Sequence, residues 1–405
     1  MMLERAAVTP HFGLSPELRE LQEEARRFAV DRVRPRALER EWEADPSARV
    51  DWELVEEASA RGWRTMGLPV ADGGQGADAL ALCVLVEELA YGDMGFAVVL
   101  DQTLKVQKII TALAATPARE QFMERFRADP RGVLAICLTE PETGSDYIIP
   151  NPAFRFRTRA VQRADGCWVL TGSKRYISNG ADAQFYLVFA STDPAKPASE
   201  GTSAFLLEPG MPGFEVARVH EKISQRTINN AALRLEDVVV EPDRLLGAVN
   251  AGYTDSREIL RESAIEAGAT TLGSARAAYE LAVDHARTRI QGGRPLIEHA
   301  NVGCRVAEMH FELEAARSLI WRAAWAVSHE PDYDHRLGSA AKTFAADTAV
   351  RVGLSAMEIL GGAAIMYRDH HVEKYLRDCL SFLHSDGAQD SHRLRVAGLI
   401  RAMAP

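Results

Sequence analysis

The chain has 405 residues, of which 47% are hydrophobic and 26% are charged, a composition typical of a globular protein long enough for two or three domains. Its formal net charge of -10 argues against nucleic acid as the main partner, because phosphate binding needs clustered surplus Lys and Arg. Five scattered cysteines, with no C-x-x-C pair and no His nearby at metal spacing, support neither a disulfide framework nor a metal site.

The N-terminal residues carry no targeting signal that we recognise. The run M-M-L-E-R-A-A-V-T-P lacks the apolar core of a signal peptide. No stretch of about 18 apolar residues, the length that spans a membrane, occurs in the sequence. We therefore expect a cytoplasmic protein without membrane insertion.

The first third of the chain has the periodicity of helices. Ser15 before Pro16 predicts the start of the first helix, and a second helix is predicted from Asp51 to Ala60. The nearly unbroken apolar run from Ala79 to Tyr91 predicts a helix packed on several sides. Asp101 then comes directly after A-V-V-L, where a carboxylate is costly unless it is solvated or paired. The simplest interpretation places Asp101 at a surface or a pocket rim.

A turn-forming stretch, L-T-E-P-E-T-G-S-D at residues 138–146, separates this helical part from a part with the pattern of strands. Its hydroxyl groups can donate hydrogen bonds, and Gly144 allows the chain to turn and approach a ligand closely. The composition fits an ordinary solvated loop or a loop that holds a polar or anionic ligand.

Beyond Pro141 the apolar period changes from about 3.6 residues to 2, which indicates strands. Neither βαβ alternation nor a G-x-G-x-x-G motif appears, so a nucleotide-binding parallel sheet is disfavoured. We predict a mainly antiparallel sheet or barrel whose strands are residues 154–161, 167–172, 184–190, 203–208 and 232–240.

From about Tyr253 onward the pattern returns to long helices, which predicts a helical bundle whose remaining apolar faces contact other subunits. The predicted helices are residues 272–289, 299–329 and 339–360. The predicted fold class is α+β. Its domains are a helical one at residues 1–134, a β domain at 135–246 and a four-helix bundle at 247–405.

The turn at residues 138–146 resembles the T-E-P-x-x-G-S-D signature of acyl-CoA dehydrogenases, whose domains have the same order of helices, strands and helices. K-R-Y-I-S-N-G-A, at residues 174–181, resembles the K-x-W-I-T-N-G segment of that family. The resemblance implies a flavoenzyme with FAD as cofactor. It implies that Thr139 and Ser178 hold the isoalloxazine edge, that Tyr176 covers one face, and that Ser145 lies where flavin and CoA phosphates meet.

Two C-terminal motifs extend the resemblance. R-I-Q-G-G-R-P, from residue 289, resembles R-x-Q-F-G-x-P, and E-I-L-G-G-A, from residue 358, resembles Q-x-x-G-G-x. Gly292 replaces the usual Phe, and Glu358 replaces the usual Gln. The resemblance implies a homo-oligomer, expected to be a tetramer, in which one subunit contacts the FAD of its neighbour through Arg289, Gln291, Glu358, Gly361 and Gly362.

The catalytic base of the family is usually the Glu of Y-E-G-T-x-Q, and alignment of H-S-D-G-A-Q-D on this motif places Asp386 at the Glu and Gly387 at the Gly. The resemblance implies that Asp386 takes the α-proton of an acyl-CoA while the β-hydride passes to flavin N5. Asp has about 1.5 Å less reach than Glu, but it remains a carboxylate. Asp386 could instead be an ordinary turn residue, with Asp390 or His384 as the base.

An Asp at the base position resembles the branch of the family that acts on cyclohexanecarboxyl-CoA or cyclohexenecarboxyl-CoA. In that branch a second Asp can help to remove a ring proton, which gives Asp101 a catalytic and substrate-binding role beside Ser145 and Gly387. Electron-transfer flavoprotein is the expected acceptor. Two alternatives are a flavin oxidase or monooxygenase of the same fold, which His384 keeps open, and a non-catalytic subunit that binds FAD.

Overall fold

The computed structural model describes residues 13–149, 151–367 and 369–403. The signal-peptide prediction rests on residues 1–10, which lie outside the described residues. Within them, helices form the N-terminal part, strands form the middle and helices form the C-terminal part. The predicted α+β fold class and the order of its parts are therefore confirmed, while the exact domain boundaries stay a prediction.

The N-terminal helices begin where the capping residues predict. Ser15 accepts a hydrogen bond from the backbone N–H of Leu18 at 3.3 Å and starts the first helix, with Pro16 in its first turn. The helix predicted from the apolar run after Asp78 is buried along nearly its whole length. The N-terminal helices are α1 Pro16–Phe28, α2 Arg34–Arg40, α3 Trp52–Ala60, α4 Ala79–Gly92, α5 Met94–Leu113 and α6 Thr116–Ala128.

The middle part is an eight-stranded sheet in the order β6-β7-β3-β2-β4-β5-β8, with β1 paired to β4. Most neighbouring strands are antiparallel, as predicted, but β4 pairs in parallel with β1 and β2. The strands are β1 Leu134–Cys137, β2 Arg159–Gln162, β3 Trp168–Ser178, β4 Phe185–Ser191, β5 Thr202–Leu207, β6 Phe214–Val219, β7 Asn230–Val240 and β8 Leu245–Leu246. A short helix, α7 Ala198–Gly201, precedes β5.

One strand prediction is partly wrong. Residues 154–161 alternate in polarity, yet β2 begins only at Arg159. The alternation before it arises because Phe154 and Phe156 are both buried and pack edge to face against the ring of Tyr253. An irregular segment that buries every second side chain gives the same sequence pattern as a strand.

The C-terminal part consists of long helices, as predicted, and a two-stranded hairpin. Its elements are α8 Gly252–Ile259, α9 Ser263–Thr288, β9 Ile290–Gln291, β10 Arg294–Pro295, α10 Ala300–His329, α11 His335–Leu360, α12 Val372–Ser381 and α13 Gln389–Ala402. Residues 335–365 are long and apolar enough to cross a membrane by length and mean hydropathy alone. In the structure α11 packs against α9, α10, α12 and α13, as a core helix of the bundle does.

Helix α5 lies where the three parts of the molecule meet. It packs against α4 in the N-terminal part, β1 and β3 in the sheet, and α9 in the bundle. Helices α4, α5 and α9 share one hydrophobic core with α11. Polar residues on α5 are therefore held against groups from distant parts of the sequence.

Candidate active site

Three residues predicted to contact a flavin ring lie together at the ends of β1 and β3: Thr139, Tyr176 and Ser178. The N–H of Arg175 donates to the carbonyl oxygen of Thr139 at 2.9 Å, which joins the two segments. The side-chain amide of Asn230 donates to the carbonyl oxygen of Tyr176 at 2.9 Å and to Oγ of Ser178 at 3.1 Å. This network fixes both hydroxyl-bearing residues relative to Tyr176.

Tyr176 presents its ring to solvent. The residue is 53% exposed and has a φ of 59°, a left-handed conformation that a tyrosine adopts only when its surroundings hold it there. The ring of His220 packs on it with centroids 4.9 Å apart. An exposed aromatic face beside the hydroxyl groups of Thr139 and Ser178 fits a flat heteroaromatic ring with polar edges, such as isoalloxazine.

The turn at residues 138–146 contacts the segment immediately after Asp386. Oγ of Ser145 accepts a hydrogen bond from the backbone N–H of Ala388 at 2.8 Å. A Cβ added to Gly387 would lie 2.7 Å from Cγ1 of Ile148, and Gly387 has a φ of 90°. The close approach and the positive φ both require glycine at this position. Ser145, Gly387 and Asp386 therefore belong to one site.

Asp386 lies in the loop between α12 and α13, and residues of α11 and α13 hold the backbone of this loop. Asp386 has a φ of 49°. Nε2 of His392 is hydrogen-bonded to the carbonyl oxygen of Asp386 at 2.8 Å. The ammonium of Lys342 donates to the carbonyl oxygen of Gly387 at 2.7 Å and to Oε1 of Gln389 at 2.8 Å.

The protonation states of His392 and Lys342 depend on their surroundings. Burial lowers the pKa of His392 to about 4, although its contact with the backbone of Asp386 opposes the shift. The ring is therefore neutral at pH 7, with Nε2 as the donor and Nδ1 facing the hydroxyl of Ser339 at 3.1 Å. Burial also lowers the pKa of Lys342 to about 8, while the negative charge of Asp386 opposes that shift.

The side chain of Asp386 belongs to a group of four ionisable residues that we term the carboxylate cluster: Asp101 and Lys105 on α5, Glu266 on α9, and Asp386. Nζ of Lys105 lies 2.7 Å from Oδ2 of Asp101, 3.8 Å from Oδ2 of Asp386 and 3.9 Å from Oε2 of Glu266. Asp101 is only 3% exposed, so its interpretation as a surface or rim residue is wrong. Asp101 is buried because α5 packs against α9, and its carboxylate is paired with Lys105, four residues along the same helix.

Burial and charge oppose each other within the carboxylate cluster. Burial lowers the pKa of Lys105, but the attraction of Asp101 and Asp386 outweighs it, so the net pKa is raised and the amine stays an ammonium. Burial raises the pKa of Asp101, and Lys105 opposes this. Burial raises the pKa of Glu266 to about 8, against the attraction of Lys108. At pH 7 Glu266 is therefore mostly protonated, and the ammonium faces two aspartates.

The two alternative bases lie outside this cluster. His384 is exposed. The carboxylate of Asp390 is also exposed, and it pairs with Arg393 at 2.9 Å. Of the three candidates, the structure brings only Asp386 into the carboxylate cluster, which favours it as the base; the role itself stays a prediction.

The remaining predicted cofactor residues line a separate pocket of about 560 Å³. Arg289, Gln291, Glu358, Gly361 and Gly362 all contribute to its wall. No described atom lies within 4 Å of a Cβ added to either glycine, so the backbone is bare toward the pocket at both positions. A guanidinium, an amide and an uncovered backbone suit a diphosphate, so these residues fit the diphosphate end of FAD.

Glu358 has a partner within the chain. Its carboxylate forms an ion pair with Arg305, which also lines the pocket. A negative charge beside a diphosphate site would be unfavourable unless it is neutralised, and Arg305 supplies that positive charge. The Glu found where Gln is usual is therefore accompanied by an arginine.

Four polar residues around the candidate base were absent from the sequence predictions: Lys105, Glu266, Lys342 and His392. One signal was visible, because Asp101 and Lys105 are four residues apart and face the same side of a helix. The other three come from α9, α11 and α13, and only the packing of these helices brings them to the site.

Comparison with known proteins identifies the same three parts of the chain. Residues 15–127, 135–238 and 250–400 match the models of the N-terminal, middle and C-terminal domains of acyl-CoA dehydrogenase. A cyclohex-1-ene-1-carbonyl-CoA dehydrogenase of Geobacter metallireducens is 34% identical over 77% of this chain and 80% of its own.

Solved structures agree with the sequence relatives. Butyryl-CoA dehydrogenase of Megasphaera elsdenii superimposes with a TM-score of 0.89 at 29% identity, over 97% of this chain and all of its own. The FAD complex of PigA superimposes with a TM-score of 0.85 at 25% identity, over 97% of this chain and 99% of its own.

Proposed function

The chain belongs to the acyl-CoA dehydrogenase family and uses FAD to dehydrogenate an acyl-CoA, and we propose that its substrate carries a carbocyclic acyl group and that Asp386 is the base. The observation that carries the proposal is the shared contact of Asp386 and Asp101 with Lys105, which puts two carboxylates in one site. Similarity to a cyclohex-1-ene-1-carbonyl-CoA dehydrogenase supports the choice of a ring substrate.

Removal of the α-proton is assigned to the carboxylate of Asp386. The chemistry that bound FAD supplies is acceptance of the hydride from the β-carbon. The backbone N–H of Asp386 can donate to the thioester carbonyl oxygen, which stabilises the negative charge that develops as the α-proton leaves. Lys342 and His392 fix the loop that carries both groups, so that the carboxylate and the N–H keep one relative orientation.

Asp101 is the second candidate proton acceptor. Its Oδ2 accepts a hydrogen bond from Lys105, and the protonated carboxyl group of Glu266 also hydrogen-bonds to this carboxylate, which lowers the pKa of Asp101 against the effect of burial. A carboxylate that these contacts keep ionised can accept a proton from a substrate ring. Asp101 would then act on a ring carbon while Asp386 acts on the α-carbon.

We also propose a homotetramer whose subunits share each FAD, with electron-transfer flavoprotein as the acceptor. The pocket that contains Arg289 includes neither Tyr176 nor Ser178 among its described lining residues. The flavin-ring residues and the diphosphate residues thus form two half-sites on one chain. Half-sites of this kind become complete when two copies meet.

The reaction can be tested by anaerobic mixing of the flavin-loaded protein with cyclohexanecarboxyl-CoA, cyclohex-1-enecarboxyl-CoA and butyryl-CoA, while the flavin absorbance band is followed. We expect the band to bleach fastest with a ring thioester. Asp386→Asn should bleach at least a hundredfold more slowly, since general base catalysis contributes about 10²–10⁴-fold. Asp390→Asn is the matched control, because this exposed carboxylate should not affect the rate.

Each result has a distinct meaning. Faster bleaching by butyryl-CoA would refute the ring substrate and leave the dehydrogenase assignment intact. Full activity in Asp386→Asn would refute the assignment of the base. Oxygen consumption with a substrate that is not a thioester, and no bleaching with any acyl-CoA, would favour the flavin oxidase or monooxygenase alternative.

A further inference from the structure

Lys105 is a buried lysine that contacts the candidate base. It lies in the middle of α5, its side chain is 4% exposed, and three carboxyl groups surround its ammonium. These groups come from α5, α9 and the loop before α13. Asp101, at 2.7 Å, pairs with this ammonium directly. Lys105 differs from Lys374, a second buried lysine among three carboxylates, because one of its carboxyl groups is that of the candidate base, Asp386.

The ammonium of Lys105 makes different types of contact with Asp101 and Asp386. Asp101 is within hydrogen-bond range, whereas Asp386, at 3.8 Å, is in ion-pair contact but too distant for a hydrogen bond. The ammonium thus attracts the carboxylate of Asp386 without occupying its lone pairs. Those lone pairs remain available for a substrate proton.

We propose that Lys105 is a positioning residue whose ammonium offsets the negative charge of Asp101 and thereby keeps Asp386 ionised and ready to accept a proton. This inference rests on the proposed function, in which Asp386 is the base. Without the ammonium, the buried carboxylate of Asp101 would repel the carboxylate of Asp386. Two neighbouring carboxylates that cannot both ionise share a proton, and a base that already carries a proton is inactive.

Other ionisable groups that face this site modify the balance without replacing Lys105. Glu266 is mostly protonated at pH 7 and adds little negative charge. Lys108 lies three residues after Lys105 on α5, and its ammonium is paired with the carboxylate of Glu262 at 2.5 Å. The groups on the remaining neighbouring elements are Cys83 on α4, Tyr147 in the loop after the 138–146 turn, Lys342 on α11 and His392 on α13.

The test is the pH dependence of flavin bleaching by the best acyl-CoA substrate in single turnover, from pH 5 to pH 9. For Lys105→Met we expect the acidic limb of the profile to move to higher pH by about one to three units, the effect of losing an opposite charge within 4–6 Å. For Asp101→Asn the acidic limb should move to lower pH, because the ammonium of Lys105 then attracts the carboxylate of Asp386 without an opposing charge from Asp101. The double variant should return it toward the wild-type position.

Lys374→Met is the matched control. Lys374 is also a buried lysine, and three carboxylates surround it: Asp93 at 2.5 Å, Asp378 at 2.6 Å and Glu41 at 3.8 Å. Its loss should destabilise the protein as much as the loss of Lys105. None of its partners belongs to the carboxylate cluster, so the acidic limb should stay in place.

The outcomes separate this inference from the function on which it rests. If the wild type bleaches and Asp386→Asn does not, the base is established. An unmoved acidic limb in folded, flavin-loaded Lys105→Met then refutes the role of Lys105 alone. A limb that moves equally in Lys374→Met would show a general effect of destabilisation and would also refute it. If Asp386→Asn bleaches normally, both the proposed base and this inference fail.

Discussion

Asp386, which we propose as the base, has a left-handed backbone conformation with a φ of 49°. A non-glycine residue in this conformation is strained by roughly 1–2 kcal/mol, so contacts elsewhere have to hold it. His392 supplies one of these contacts, because its Nε2–H donates to the carbonyl oxygen of Asp386. The position of the proposed base therefore depends on a buried histidine that is neutral in the folded protein at pH 7.

This dependence predicts acid sensitivity. The pKa of His392 is about 4 in the folded protein and about 6.5 when unfolded, so the unfolded state binds more protons between these values. Stability must then fall as the pH drops from 6.5 toward 4. Between pH 7 and pH 5 we expect His392 to account for a loss of about 2 kcal/mol in the free energy of unfolding.

Urea unfolding of the wild type and of His392→Gln at pH 7 and pH 5 measures this effect. Glutamine keeps a donor for Asp386 but does not titrate, so the variant should lose about 2 kcal/mol less than the wild type over this interval. His384→Gln is the control, because this exposed side chain should leave the pH dependence unchanged. Equal losses in the wild type and His392→Gln would contradict the neutral state of the buried ring.

At the scale of elements, the sequence predicts the long helices well and the sheet less completely. Helix α4 has many apolar residues and an N-cap at Asp78, so local information defines it, whereas α9 and α11 begin nine and four residues before their predicted starts at residues 272 and 339. Strand β1 has only four residues, and β6 is mostly exposed, so neither shows the alternation on which the prediction relied. Short strands are determined by their partners in the sheet.

The residues of the candidate active site divide in the same way, because some can be recognised from local sequence and others only from packing. Residues within a recognisable motif, such as Thr139 and Ser178, could be predicted because their neighbours in sequence are also their neighbours in space. Glu266 and Lys342 could not, since the packing of α9 and α11 is what places them near the base. A buried charge on a long apolar helix indicates a partner without identifying it.

Helix α11 gives a prediction at this scale, because it anchors the loop that joins α12 and α13. Lys342→Met keeps the apolar stem of the side chain but removes the donor to Gly387 and Gln389. Each buried oxygen left unpaired costs about 1–3 kcal/mol, which favours a displaced loop. We expect the bleaching rate to fall by about a hundredfold, the effect of a displacement near 1 Å, with FAD still bound.

Gln389→Glu is the informative second variant for this loop. It retains an acceptor for Lys342, but it removes the amide that donates to the carbonyl oxygen of Thr343 and to Oδ1 of Asp347, each at 2.9 Å, and it places a carboxylate beside Asp347. The loop should therefore shift and the bleaching rate should fall, as in Lys342→Met. Crystal structures of both variants would measure the position of the Asp386 carboxylate directly. An unchanged loop together with a lost rate in Lys342→Met would contradict the anchoring role.

At the scale of the whole molecule, the C-terminal helices leave large apolar side chains on the surface. Phe311 on α10, Leu354 on α11, and Leu394 and Ile400 on α13 are each more than half exposed. Groups of exposed apolar residues on a single-chain protein indicate an interface. These side chains lie on helices that follow the β9–β10 hairpin, which contains Gln291 and adjoins Arg289. This position agrees with the proposal that a second copy completes each cofactor site.

Leu394→Asp with Ile400→Asp tests this assembly. Two carboxylates in an apolar interface would have to be buried without partners, so we expect the molar mass measured by light scattering to decrease from that of the wild-type oligomer. The FAD content should fall with it, because in the proposed assembly a second copy completes each cofactor site. Val70→Asp is the control, since Val70 is 74% exposed outside the C-terminal helices and its substitution should change neither quantity. A monomeric variant that retains stoichiometric FAD would show that one chain is sufficient to hold the cofactor.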